Sequence, residues 1–187
     1  METSKDILKH TEEKMKKAID VVRDELAKIR TGKATTALLD SVKVDYYGTP
    51  TALHKVSSVS TPDVHTIAIQ PWEKGLIPAI EKAILQANLG LNPMSDGTLV
   101  RVPIPPLNEE RRHELVKLVK KFGEEGKIAV RNIRRDAIEH LKKAEKADHM
   151  PEDERKRGEQ DTQKITDKYT KDIDTILVAK EKEIMEV

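Results

Sequence analysis

Cysteine is absent from this chain of 187 residues, so disulfides, thiolate metal sites and cysteine nucleophiles are excluded. Aromatic residues are scarce as well: three Tyr, one Trp and one Phe make up 3% of the sequence. A core without aromatic bulk has to be assembled from Leu, Ile, Val, Ala and Met. That suits helices packed side by side, where aliphatic rows interlock. No apolar run approaches the roughly 18 residues that a membrane-crossing helix needs, so no membrane partner is expected. The opening stretch, METSKDILKHTEEKMKK, carries charge throughout and holds no apolar segment of the secretory kind, which makes the cytoplasm the expected compartment. An excess of one charge is also missing. The 34 basic and 33 acidic residues leave a formal net charge of +1, although 36% of the chain is charged. That balance argues against a uniformly basic nucleic-acid binder, but a local basic patch depends on distribution and not on the sum.

What is present divides the chain into three textures. Over residues 4–30, Leu8, Met15, Ile19, Val22, Leu26 and Ile29 recur at an average of about 3.5 residues, which predicts a helix with one apolar stripe. Ser4 is the expected N-cap, Asp6 sits in the first turn, and Gly32 supplies the stop. Over residues 31–106 charge density falls and β-branched residues alternate with polar ones. Val42, Val44 and Tyr46 form a strand pattern, with Gly48 and Pro50 as a turn. Further strands are expected over 53–59 and 65–70, separated by Thr61, Pro62 and Asp63, and over 98–103. A short helix is expected over 76–88, with Ile77, Ile80, Ala83, Ile84 and Ala87 on one face and Gly90 at its end.

After Pro106 the helical texture returns. Asn108 can cap a helix reaching about Lys146, with Leu115, Leu118, Phe122, Ala129, Ile133, Ala137 and Leu141 as its stripe. Gly123 and Gly126 each weaken it by roughly 1 kcal/mol relative to Ala, so a local bend is anticipated there. Pro151 opens a last helix, striped by Ile165, Tyr169, Ile173, Ile176 and Ile184. Three amphipathic helices need one another to bury their apolar faces. The fold expected is therefore α+β: a three-helix bundle from residues 1–30 and 107–187, interrupted by a small α/β domain over 31–106. The chain crosses between the two near Arg30–Lys33 and near Pro103–Leu107. Gly on one crossing and three prolines on the other suit either a hinge or two ordinary linkers.

Few residues offer bond chemistry. Thr31-Gly32-Lys33-Ala34-Thr35 has the look of a phosphate-binding loop, but Ala27 stands where the first Gly belongs and Ala34 where Ser or Thr should follow the Lys. His10, His54, His65, His113, His140 and His149 show no ligand spacing, and read as scattered surface residues. Trp72, the sole Trp, reads as a packing or partly exposed structural residue, with a stacking platform as its other use. No acid/base pair stands out among the many carboxylates.

One pattern stands above this background. Between Arg111 and Arg135 the cations Arg111, Arg112, Lys117, Lys120, Lys121, Lys127, Arg131, Arg134 and Arg135 are opposed only by Glu114, Glu124 and Glu125. Lys120, Lys127, Arg131 and Arg134 follow at spacings of seven, four and three, so they share one helical face. Such a row suits a nucleic-acid backbone, and Arg adds bidentate phosphate contacts. On charge alone a solvated face with intrahelical pairs to Glu124, Asp136 and Glu139 is slightly favoured, because helices this charged are common in inert coiled coils.

Several motifs resemble the ribosome recycling factor family. They are Lys28-Ile29-Arg30-Thr31-Gly32-Lys33-Ala34, Leu38-Leu39-Asp40, Tyr46-Tyr47-Gly48-Thr49-Pro50 and Leu89-Gly90-Leu91-Asn92-Pro93. Further along come Arg101-Val102-Pro103-Ile104-Pro105-Pro106-Leu107, Glu109-Glu110-Arg111-Arg112 and Val130-Arg131-Asn132-Ile133-Arg134-Arg135-Asp136. They follow the family's order across nearly the whole chain. The resemblance implies an L-shaped molecule in which a small β/α/β domain swings on a two-strand hinge made of Thr31, Gly32, Lys33, Pro103, Pro105 and Pro106. It implies a monomer with no cofactor and no catalytic residue, whose partners are the 70S ribosome, above all its large subunit, and elongation factor G. Contacts to ribosomal RNA then fall on Arg131, Arg134 and Arg135, with Lys127, Lys120 and Arg30 beside them. On charge alone, an adaptor whose basic face pairs with acidic proteins stays in play.

Overall fold

The structure, a computed structural model, describes residues 2–147 and 149–186. The chain folds into two compact units, Met1–Arg30 with Glu109–Val187, and Thr31–Asn108.

The first unit is a bundle of α1 (Ser4–Ala27), α4 (Glu109–Ala147) and α5 (Glu152–Met185), each packed on the other two. The cap of α1 is Thr3 and not Ser4. The Thr3 hydroxyl accepts from the Asp6 N–H at 3.3 Å, and the Asp6 carboxylate accepts from the Thr3 N–H at 3.0 Å. Asp6 three residues on from Thr3 completes a reciprocal capping box, whereas a cap at Ser4 would have Ile7 in that place and nothing to answer it. The helix closes at Ala27, short of the expected Arg30. Its buried face is Ile7, Thr11, Met15, Ile19, Val22 and Leu26; Leu8 is only half-buried.

α4 runs unbroken through Gly123 and Gly126, about 58 Å at 1.5 Å per residue. The anticipated weak point is a packing device. Both glycines are buried, and a Cβ on Gly123 would collide with Leu177 of α5, as one on Gly126 would with Val22 of α1. The buried face is Leu115, Val119, Gly123, Gly126, Val130, Ala137, Leu141 and Ala144, while Leu118, Phe122 and Ala129 lie half-buried at its margin. On α5 the buried face is Gly158, Thr162, Thr166, Tyr169, Ile173 and Ile184, with Ile165 and Ile176 half-buried. The buried threonines are satisfied locally. The Thr11, Thr162 and Thr166 hydroxyls donate to carbonyls four residues back at 2.7, 2.8 and 2.8 Å. Tyr169 donates its hydroxyl to Glu12 at 2.9 Å, tying α5 to α1.

The second unit holds a hairpin of β1 (Lys43–Tyr46) and β2 (Thr49–Ala52), one helical turn α2 (Leu53–Val56), strands β3 (Ser57–Asp63) and β4 (Thr66–Pro71), helix α3 (Ile77–Gln86), and strands β5 (Met94–Ser95) and β6 (Val100–Pro103). The four later strands make an antiparallel sheet in the order β3-β4-β6-β5. Three expectations need correcting. β2 contains Pro50, read from sequence as part of a turn; a two-stranded hairpin tolerates it because only one side of the strand is paired. The turn is Tyr47-Gly48, with φ of 49° and 83°, the primed type that a two-residue hairpin requires. Residues 53–56 are helical, so the strand expected over 53–59 starts at Ser57, and Thr61 to Asp63 are its end and not a separator. α3 ends at Gln86, and Asn88, with φ 51°, takes the left-handed role expected of Gly90. Val42, Val44, Ile67, Ile69, Ile80, Ile84, Val100 and Val102 build the core of this unit.

Leu107 and Asn108 belong to this second unit. Gly32, at φ 75°, abuts Leu107: a Cβ there would lie 3.0 Å from Leu107 Cγ and from its backbone N. The two crossings are also pinned to the β3–β4 turn. Ala34 N–H donates to Val64 O at 2.6 Å, and Ile104 N–H to His65 O at 2.7 Å.

Candidate nucleic-acid interface

At about 100° per residue, Lys120, Lys127, Arg131 and Arg134 fall within an arc of about 60° on α4. The buried residues of α4 centre roughly a quarter-turn away, so the row lies along the flank of the helix. α5 packs antiparallel on that side, with Gly158 against Leu141 and Leu177 against Gly123. Lys120, Arg131 and Arg135 are exposed, and Lys127 and Arg134, which lean toward the packed side, are half-buried. Arg135 lies just beyond one edge of the arc. From Lys120 to Arg135 the row spans about 22 Å of helix axis.

The cations differ in what surrounds them. Arg131 Nη1 meets Glu124 Oε1 at 3.1 Å, one of the intrahelical pairs foreseen from sequence. Lys127 reaches Asp174 of α5 at 2.5 Å, and its side chain is only 22% exposed. Arg135 donates to the Asn132 side-chain oxygen at 2.8 Å, a neutral partner. Of the other two foreseen partners, Glu139 pairs with Lys143 instead, at 2.7 Å, and Asp136 makes no ion pair among the described residues. Among the described residues Lys120 and Arg134 have no carboxylate partner. The Nε–H of Arg134 is enclosed and makes no hydrogen bond; the same is true of Arg112 and of Arg155, although the Nε of Arg155 lies 2.6 Å from Glu145. Arg30 is exposed, three residues past the end of α1. Because Ile7 clusters with Leu141 while Val22 meets Gly126, α1 is antiparallel to α4, and its end lies toward the Lys120 end of the row.

The other candidates give no chemistry. All six histidines are exposed, and among the described residues no group of three His, Asp or Glu could hold a metal. His140 and His10 both approach Glu2, at 3.0 and 3.7 Å. Thr31, Gly32 and Lys33 lie outside helix and strand, with Gly32 at φ 75°. Trp72 is 68% exposed and not packed away; its backbone N–H donates to Val56 O. Near it in sequence, Glu73 accepts hydrogen bonds from both Tyr46 at 3.1 Å and Tyr47 at 3.0 Å, which raises the pKa of each phenol. Among the described residues no helix is long and apolar enough to cross a membrane. Sequence reading missed two members of the site: Asp174, which only the packing of α5 brings to Lys127, and the acceptor-less Nε–H of Arg134.

The sequence pattern of the family described as "Ribosome recycling factor" matches residues 22–185. The chain is 52% identical over 183 residues to the ribosome-recycling factor of Desulforamulus reducens, covering 98% of this chain and 99% of that one. It is 53% identical over 184 residues to that of Symbiobacterium thermophilum, covering 98% and 100%. A solution structure of the ribosome recycling factor superposes with a TM-score of 0.79 at 45% identity, over 98% of both chains. A second structure, of the T. thermophilus ribosome recycling factor and E. coli elongation factor G bound to the E. coli post-termination complex, matches at a TM-score of 0.64 and 44% identity, over 98% of this chain and 100% of that one. With the bundle, the inserted sheet domain and near-complete coverage in agreement, the chain belongs to the ribosome recycling factor family.

Proposed function

We propose that this protein binds the ribosome after termination and, with elongation factor G and GTP, promotes separation of the subunits and release from messenger RNA. The observation that carries this reading is the cationic flank of α4, where, among the described residues, Lys120, Arg134 and Arg135 have no carboxylate partner. Phosphate oxygens of ribosomal RNA in the large subunit are the acceptors that such a row fits. Arg131, Arg134 and Arg135 make the principal contacts, with Lys120, Lys127 and Arg30 adding long-range attraction.

The protein acts as a wedge and lever, without bond chemistry or cofactor of its own, and as a monomer in the cytoplasm. α4 anchors the bundle. The inserted unit moves on Thr31, Gly32, Lys33, Pro103, Pro105 and Pro106, and receives the push of the GTPase. The energy comes from the partner's GTP.

The test is binding of the purified chain to isolated large subunits across a salt series. Affinity is expected to fall steeply with salt, and Arg134→Ala to weaken binding by about tenfold while leaving the melting temperature unchanged. Binding indifferent to both salt and Arg134→Ala would favour an adaptor role toward acidic proteins.

A further inference from the structure

The cationic flank carries its own counter-charge. Between Lys117 and Arg135 the carboxylates of α4 are Glu124 and Glu125. At about 100° per residue Glu124 lies about 20° beyond the edge of the arc, between Arg131 and Arg135, one turn after Lys120 and two turns before Arg131, whereas Glu125 lies about 120° beyond it. Its Oε1 already holds Arg131 Nη1 at 3.1 Å, and both side chains are more than half exposed, at 56% and 58%. A phosphate arriving at Arg131 therefore meets a guanidinium that is already engaged, with a negative charge beside it. The carboxylate must swing away or stand against the phosphate, and either one lowers affinity.

Building on the ribosomal-RNA contact proposed above, we infer that Glu124 is an internal competitor for Arg131 that keeps binding weak enough for the factor to leave after each round. Glu124 is not needed to hold the fold. It is exposed, it sits away from the buried face of the helix, and its partner is on the same helix. Glu and Gln have nearly equal helix propensity, so Glu124→Gln removes the charge with little effect on the bundle. Asp174 shows the contrast. It pairs with the mostly covered Lys127 across two helices, so its charge serves the packing of α5 on α4.

The experiment measures equilibrium binding and dissociation rate on isolated large subunits for the wild-type chain, Glu124→Gln, Arg131→Gln, the double variant and Arg134→Ala, each over a salt series. Glu124→Gln is expected to bind about threefold to tenfold more tightly, chiefly through slower dissociation. Its salt dependence should steepen by about 0.7 in the slope of log K against log salt. In the Arg131→Gln background the same change should lose most of its effect, because the competition acts through Arg131. The inference is overturned if Glu124→Gln binds no more tightly while Arg134→Ala weakens binding, or if the gain persists undiminished without Arg131. If neither Glu124→Gln nor Arg134→Ala alters binding, the RNA contact itself falls and takes this inference with it.

Discussion

Gly126 of α4 lies against Val22 of α1 so closely that a single added methyl group would overlap the Val22 side chain. Ile173 of α5 is 3.4 Å from the same point, an ordinary contact, so the overlap to be relieved is with Val22. Gly126→Ala should therefore destabilise the bundle by about 1–3 kcal/mol, although alanine is the better helix former by about 1 kcal/mol. Chemical denaturation measures it; a more stable variant would mean that the helices part easily at this level.

Tyr169 leads to a pH prediction. Burial, reinforced by the hydrogen bond to Glu12, pushes its pKa from 10.0 up to about 12. The folded state thus favours the protonated phenol. Its contribution is complete below pH 10, the unfolded value, and is lost as pH rises through 12. Two pH units correspond to about 2–3 kcal/mol. Tyr169→Phe should lower stability at neutral pH by about 1 kcal/mol, and should lack the part of the wild-type decline that falls between about pH 10 and 12. Parallel declines in the two proteins would show that the phenol is not the group responsible.

These two sites also show what sequence can reveal. Periodicity found all three long helices because one buried face per helix imposes a repeat near 3.5 residues, and Met15, Ile19, Ile173 and Leu141 were placed correctly by it. It failed wherever the buried position is not a large apolar residue. Gly123, Gly126, Thr162 and Thr166 are buried for what neighbouring helices bring to them, and propensity scales see only the helix itself. One position also matters greatly on a helix: choosing Leu8 over Ile7 turns the face by about 100°. Pro50 was misread because edge pairing, which makes it tolerable, is invisible until the hairpin is known. In the site, Glu124 was legible because its partner is on the same helix, whereas Asp174 lies far along the chain from Lys127.

Lys127 and Arg134 share a face, yet their substitutions should diverge. Lys127→Ala breaks an α4–α5 ion pair whose lysine is mostly covered, and should cost about 1 kcal/mol or less in stability with a small loss of subunit binding. Arg134→Ala should do the reverse. Unfolding curves and binding isotherms collected side by side decide it, and equal binding losses would place Lys127 among the phosphate contacts.

Gly32 tests the connector. Its φ of 75° and its contact with Leu107 exclude a side chain without rearrangement. Gly32→Ala should cost roughly 1–2 kcal/mol in the unfolding of the inserted unit. Subunit separation should slow while binding to the large subunit persists, because the row on α4 is untouched. Loss of binding in step with loss of splitting would argue that this connector is no hinge.

On the proposed reading, the chain separates ribosomal subunits through contacts anchored at Arg134. The most direct test is dissociation of post-termination ribosomes by the purified chain with elongation factor G and GTP. Rapid splitting is expected from the wild-type chain, and splitting slower by about tenfold from Arg134→Ala at equal factor concentration. No splitting above background by the wild-type chain, or an unchanged rate with Arg134→Ala, would contradict it.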